Sequence, residues 1–409
     1  MKHLLCMLMA AVLLTVPSGA ETVIPESPLF EATFLQGWLC RDWQPARWHT
    51  EFAEMRAAGF RSVILQSTVD LAYSYTDNSK PKTDPDAYTL QAAYALCPTA
   101  LVSGSAQSHA LEYALEAAAD SGMQIWIGTI SDDRWWNYGW SKPDDGLRDW
   151  LNENAAACAS LIAEIQSQFG AKYQAQIAGY YYNNELWNIP DACAGRDQGE
   201  YAKLLGVNLR ETIKAAAEQP VLVSPFYNAE LSRPEEYAHF IHDIIAAAGM
   251  RTTDIIAPQD GGGRDYTPEI ISEWISAMQF ALRDTVCVWV NNESFGSDMK
   301  PKSAALLKAD YLATGCAQAH ILFSWNHYYH AAANPEYAVY EREFSNLCAS
   351  MYGDINTDGS FNSKDAAELC AWLAGKPIRL QNWKAGDLNG DCQLTAADLS
   401  IMKRALLRT

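Results

Sequence analysis

The sequence predicts an α/β protein, a (β/α)8 TIM barrel followed by a small all-α calcium-binding domain. Two observations carry this. Short apolar runs alternate with longer helix-period stretches from Glu21 to Tyr352, and an Asp/Asn-rich loop beginning at Asp354 returns at Asp387. Alternation of that kind marks a parallel sheet built from crossover units, and eight such pairs over about 330 residues match a barrel with insertions.

The order of elements begins with a leader. Lys2, the apolar stretch Leu4 to Leu14, Pro17 and the small residues Ser18-Gly19-Ala20 form an export signal over residues 1–20. The apolar run falls short of the roughly 20 residues that span a bilayer. No later stretch is long enough either, so no membrane span is expected, and the mature chain is expected to be secreted and soluble. Lys+Arg total 30 against Asp+Glu 49, a net charge of -19. That balance argues against nucleic acid as a partner. Nine cysteines remain without Cys6, with no C-x-x-C pair or zinc-like spacing. Free thiols are expected rather than a disulfide framework.

Residues 21–352 are assigned to the barrel. The expected strands are Ala32 to Leu39, Arg61 to Gln66, Gln124 to Ile130, Ile177 to Tyr182, Pro220 to Phe226, Asp254 to Pro258, Thr285 to Val290 and Ala319 to Trp325. Helices are expected between them, among them Trp48 to Ala58, Leu147 to Phe169, Pro268 to Arg283 and Pro301 to Ala313. An insertion from about Ser67 to Gln107 carries four tyrosines and is long enough to hold small elements and wall one side of a cleft.

In such a barrel the loops after the strands converge on one mouth, so chemistry belongs at strand C-termini. Seven of the 14 tryptophans fall there. Glu185 follows strand 4 and Glu293 ends strand 7, positions that face each other across the opening. Cleavage of a glycosidic bond needs such a pair, one protonated acid for the leaving oxygen and one carboxylate to attack. The expected sugar contacts are Trp38, Asp133, Trp135, Trp136, Asn184, Tyr227, Gln259, Asp260, Asn292, Trp325 and His327. Asn184 would hold a hydroxyl and Trp325 would floor a sugar ring, because aromatic faces suit the C–H face of a pyranose. Core packing is the competing role for Trp135 and Trp136, and plain loop structure for His327. The Gly261-Gly262-Gly263 run lacks a phosphate-loop context and reads as a tight turn. His239 and His242 lack a third metal ligand, so no cofactor is expected in the barrel.

Residues 353–409 differ from the rest in composition, with seven acids against seven bases. Asp354, Asn356, Asp358, Ser360 and Asp365 occupy loop positions 1, 3, 5, 7 and 12, and Asp387, Asn389, Asp391, Gln393 and Asp398 repeat them. Oxygens at that spacing wrap Ca²⁺, and the duplication argues against a chance Asx-rich turn at a helix cap. Position 12 is Asp and no entering helices precede the loops, which favours a structural module over a calcium sensor.

These two loops resemble the type I dockerin, the duplicated module that plugs secreted enzymes into a cohesin on a cellulosomal scaffold. The resemblance covers Gly353 to about Leu407. It implies two Ca²⁺ sites, a cohesin partner, and cohesin contacts at Ser363, Lys364, Ala396 and Ala397. Cys392 departs from the glycine usual at loop position 6. The two mouth glutamates resemble those of the clan A glycoside hydrolases, which implies Glu185 as acid/base, Glu293 as nucleophile, and retention of configuration with carboxyls about 5 to 5.5 Å apart. Phe34-Leu-Gln-Gly-Trp38, Gly179-Tyr-Tyr-Tyr-Asn-Asn-Glu185 and Pro258-Gln-Asp-Gly-Gly-Gly263 resemble a family of secreted barrels known as a domain of unknown function and suspected of glycosidase activity. The expectation is a secreted, scaffold-held hydrolase of plant cell-wall polysaccharide, extracellular at or near the cell surface. The alternative is a non-catalytic carbohydrate-binding barrel on the same scaffold. A peptidase lacks any nucleophile elbow or zinc signature.

Overall fold

The computed structural model describes residues 29–138, 145–188, 198–350, 352–376, 378–390 and 393–408. The expected leader, Trp140, Asp391 and Cys392 lie outside the described residues.

Eight parallel strand positions form a closed ring: Ala32–Leu35, Ser62–Leu65, Gln124–Gly128, Ile177–Tyr182, Val221–Val223, Ile255–Ile256, a seventh in two pieces (Cys287–Val288 and Val290–Glu293), and His320–Phe323. The split seventh strand closes the barrel, since Val288 pairs with Ile256 while Val290 to Glu293 pair with His320 to Phe323. The eighth strand then pairs with the first. Its strands are buried on both faces, as parallel strands under helices are. Residues of one parity point inward: Ala32, Phe34, Ile64, Trp126, Tyr181, Leu222, Ile255, Trp289 and Ile321 fill the interior. The opposite parity packs outward under the helices. Gly179 makes room for this filling, because a Cβ there would stand 2.6 Å from the Trp126 ring and 2.3 Å from the Pro220 carbonyl.

The third, fifth and sixth strands end two or three residues before the expected positions and the seventh runs on to Glu293, and two further strand ends reshape the mouth. The first strand stops at Leu35 and turns into the short helix Gly37–Cys40, where the Leu39 N–H bonds the Gln36 carbonyl. The eighth stops at Phe323, and residues 325–329 form a single wide helical turn. Both changes bring the tops of strands one and eight together, with the Gln36 N–H on the Asn326 carboxamide at 3.3 Å. The outer helices match closely: Pro45–Ala57, Asp145–Ile165, Pro268–Leu282 and Ala304–Ala313. The last starts later than expected because Ser303, whose Oγ accepts the Leu306 N–H, caps it.

The insertion is a hairpin, Val69–Tyr75 antiparallel to Tyr88–Ala95, extended in parallel by Ile130–Asp132. That third strand continues the third barrel strand, so the hairpin wall is joined to the mouth. Arg134 locks the junction, with its guanidinium 2.6 Å from Asp132 and stacked over Tyr73 at 4.2 Å.

The C-terminal domain has its own core of Ile355, Leu369, Leu380, Trp383, Leu388, Leu394 and Met402. Its two main helices, Ser363–Leu373 and Ala396–Leu406, each begin in a reciprocal capping box, Asn362 with Asp365 and Thr395 with Asp398. No helix among the described residues is long and apolar enough to cross a membrane. Among the described residues six cysteines are free thiols, four of them buried.

Candidate active site

Strands four, six and seven deliver one acidic cluster to the C-terminal mouth. Glu185 stands three residues past Tyr182, half-buried, and its carbonyl is pinned by the Trp135 indole N–H at 3.1 Å. Its Oε2 accepts the Gln259 amide at 2.9 Å. Gln259 leaves the sixth strand and is paired in parallel with Asn291 of the seventh, so the fourth and seventh strand ends are bridged through it. Glu293, the last residue of the seventh strand, is 6% exposed, and its Oε2 accepts the Gly263 N–H at 2.6 Å.

Asp260 organises the ground beneath Glu293. Its carboxylate accepts the Gly262 N–H (2.8 Å), the Asn292 amide (2.9 Å) and the Glu293 N–H (3.3 Å). Asn292 turns its oxygen to His320 Nδ1 at 2.9 Å. Lys302 reaches the same cluster, buried, with Nζ 2.8 Å from Asp310. A Cβ on Gly262 would collide with that ammonium, so the glycine run is what lets Lys302 and Glu293 approach the loop backbone.

The electrostatics follow. Burial pushes Glu185 up to about 7, opposed only by the Gln259 hydrogen bond. Burial, then the neighbouring Asp260 carboxylate, push Glu293 up to about 8; the Gly263 N–H and Lys302 oppose this, and Glu185 adds to the rise. Glu293 thus senses the charge of Glu185. Burial disfavours the Lys302 cation, but Asp260 and Asp310 outweigh it and hold its value raised. Both carboxyls therefore titrate near neutrality rather than in the usual carboxylate range, so one can hold a proton while the other is ionised.

The remaining expected contacts separate by exposure. Trp38 (53% exposed) and Trp136 (55%) offer free indole faces. Asp133 is exposed, and Gln259 and His327 are partly so. His327 meets Trp38 edge-on at 5.7 Å and holds Gln36 at 2.8 Å. Six others are corrected, because their side chains are buried in packing. Trp325 has no exposed face and donates its indole N–H to Glu51 at 2.7 Å, so it is no sugar floor. Trp135 stacks on Trp150 under the loop. Asn184 turns outward and gives its amide to Asn154 at 2.9 Å, and Tyr227 stacks on Trp274 at 4.3 Å. Asp260 and Asn292 are enclosed in the network under Glu293 and act through it. Trp325, Asn184, Tyr227 and Asp260 lie beyond their strands, where the turn points them inward or back, whereas Asn292 lies within the seventh strand.

Sequence reading missed Lys302, Asp310 and Tyr328, whose phenol lies close enough to feel the Glu293 charge, and took Gly263 only as part of a tight turn. Nothing local distinguishes a lysine ahead of a helix cap as buried. Asp70 was also missed; it accepts the Ser67 hydroxyl at 2.7 Å in the hairpin wall, and burial raises its carboxyl.

In the C-terminal domain, Gly359 has φ +80°, as the sharp turn at loop position 6 requires, and Asp354 accepts the Asp358 and Gly359 N–H groups at 3.1 and 2.9 Å. Asp365 and Asp398 each close their loop by accepting two backbone N–H groups at its start. Asp354, Asn356, Asp358, Ser360 and Asp365 form an all-oxygen donor set that fits a hard cation. In the second loop, Asp387, Asn389, Gln393 and Asp398 are described and Asp391 is not. Ser363, Lys364, Ala396 and Ala397 are all exposed at the first turns of the two helices.

Fold and site together define a TIM barrel with two glutamates at its mouth and a small helical domain carrying duplicated Asp/Asn-rich loops. Residues 31–338 match the family model "Domain of unknown function (DUF4434)", and the chain belongs to that family. Residues 352–407 match the "Dockerin type I domain", and the C-terminal domain is a type I dockerin. No curated protein matches the chain. Among solved structures, a proposed alpha-L-fucosidase from Bacteroides thetaiotaomicron is 14% identical, covers 82% of this chain and 99% of its own, and has a TM-score of 0.57. An endo-1,4-beta-mannanase from Rhizomucor miehei is 13% identical over 78% of this chain and 95% of its own, with a TM-score of 0.49. The first likeness establishes the barrel fold; at such identities nothing finer transfers.

Proposed function

We propose that the protein is a secreted glycoside hydrolase of plant cell-wall polysaccharide that cleaves with retention and is held on a cellulosome through its dockerin and a cohesin. The observation that carries the reading is the pair Glu185 and Glu293, both raised by burial at one mouth, with Gln259 bonded to Glu185 and paired with Asn291 two residues before Glu293. Glu185 takes the acid/base role and protonates the leaving oxygen, since no cation is among the influences on its carboxyl. Glu293 takes the nucleophile role. The order of the raised values runs the other way, with Glu293 higher, yet the Gly263 N–H and Lys302 are placed to stabilise the Glu293 anion once the acid holds the shared proton. Gln259 steadies Glu185, and Trp38 and Trp136 offer faces for sugar rings.

Ca²⁺ bound by the two dockerin loops would neutralise their carboxylates and hold the loops in the form that presents Ser363, Lys364, Ala396 and Ala397 to a cohesin. Sugar release from a panel of neutral plant-wall glycans tests the barrel. Glu185→Gln and Glu293→Gln each lower the rate about 10²–10⁴-fold while glycan binding persists. Equal release by wild type and both variants would leave a carbohydrate-binding barrel instead.

A further inference from the structure

The dockerin meets the barrel through a short strap between its two calcium loops. The Trp383 N–H donates to the Gly315 carbonyl at 2.8 Å, Lys384 Nζ to the Leu29 carbonyl at 3.0 Å, and the Arg379 guanidinium to Ser272 Oγ at 2.5 Å. Backbone lies against backbone here, since a Cβ on Gly315 would stand 2.4 Å from the Gln381 carbonyl oxygen. The contact extends to buried barrel groups. Burial and then the Lys384 charge hold His320 well below its usual range, and Arg379 opposes the rise that burial imposes on the Cys316 thiol.

The strap is equally fixed to the dockerin. The Asn382 N–H bonds the Ile355 carbonyl at 3.0 Å and the Gly353 N–H bonds the Ala385 carbonyl at 3.1 Å, while Trp383, 1% exposed, is a core residue of the module. Only Met351 and Tyr352 separate the last barrel helix, which ends at Ser350, from Gly353. Polarity of the strands then gives direction. Leu29 precedes the first strand and Gly315 precedes the eighth, so both belong to the strands' N-terminal end, opposite the end that carries Glu185 and Glu293.

We propose that residues 379–384 are a docking strap that seats the dockerin on the closed end of its own barrel, so that the mouth is presented in one fixed direction, away from the scaffold. The cohesin-facing residues Ser363, Lys364, Ala396 and Ala397 take no part in the strap and stay exposed. The seat differs from a flexible tether, which would let the barrel swing about the scaffold.

Small-angle X-ray scattering on the full chain with calcium tests the seat, against Gly315→Leu and against the double variant Arg379→Ala/Lys384→Ala. The wild type is expected to scatter as one compact body. Either variant lengthens the maximum dimension by on the order of 10 Å, about the radius of gyration of a 57-residue domain. Should Gly315→Leu fail to fold, the double variant, altered only at side chains on the strap, carries the comparison, with near-ultraviolet circular dichroism confirming an intact barrel. A wild-type curve that requires an extended ensemble overturns the proposal, as does a folded double variant that scatters identically to wild type.

Discussion

Replacing Glu293 by glutamine should stabilise the barrel, and more so as pH rises. In the folded protein the carboxyl is pushed from 4.5 up to about 8 by burial and by Asp260. The native state therefore holds a proton there that the unfolded chain has already released above about pH 4.5. With more protons bound in the native state, stability falls as pH climbs from the unfolded value to the folded one, and the loss is complete above about 8. At 1.36 kcal/mol for each tenfold change in proton affinity, the ceiling is about 5 kcal/mol. Relaxation around the coupled cluster of Glu185, Asp260 and Lys302 lowers this to an expected gain of about 2–4 kcal/mol for Glu293→Gln at pH 8.5, with little gain near pH 4.5. Urea unfolding at both pH values, followed by tryptophan fluorescence, measures the difference. An equal effect at the two pH values, or a loss at pH 8.5, would refute the claim that a buried, charge-crowded carboxyl sits at this mouth.

Lys302→Met should destabilise the barrel by about 3–5 kcal/mol, because it strips the buried cation from Asp310 and Asp260; thermal unfolding reads this directly. Trp38→Ala and Trp136→Ala should weaken glycan binding while shifting stability by less than about 0.5 kcal/mol, since both rings are exposed; isothermal titration on an active oligosaccharide separates the two. EDTA should unfold the dockerin and abolish cohesin binding, as folding and metal binding are coupled in such small domains. A calorimetric trace unchanged by chelation would remove the calcium sites.

Much of this was legible beforehand for identifiable reasons. The barrel strands are apolar runs bounded by turn residues, and the ring is closed by ladder pairing that their number already implied. Glu185 and Glu293 were found because strand C-termini converge, a property of topology rather than of side-chain detail. The failures share one cause. Trp325, Tyr227 and Asn184 sit near the strand ends, yet which way a residue points just beyond a strand depends on the turn that follows, and that turn is shaped by distant partners such as Glu51, Trp274 and Asn154, while Asn292 lies in the seventh strand itself and is turned to His320.

Sequence alone therefore determined the elements, their order and the duplicated loops, because periodicity and local oxygen spacing are properties of neighbours along the chain. Tertiary structure decided the protonation of the mouth and the seat of the dockerin. Burying Lys302 beside Asp310, crowding Asp260 under Glu293, and laying Gln381 against Gly315 each join residues from separate elements, and charge and steric fit depend on distances through space that no linear pattern records.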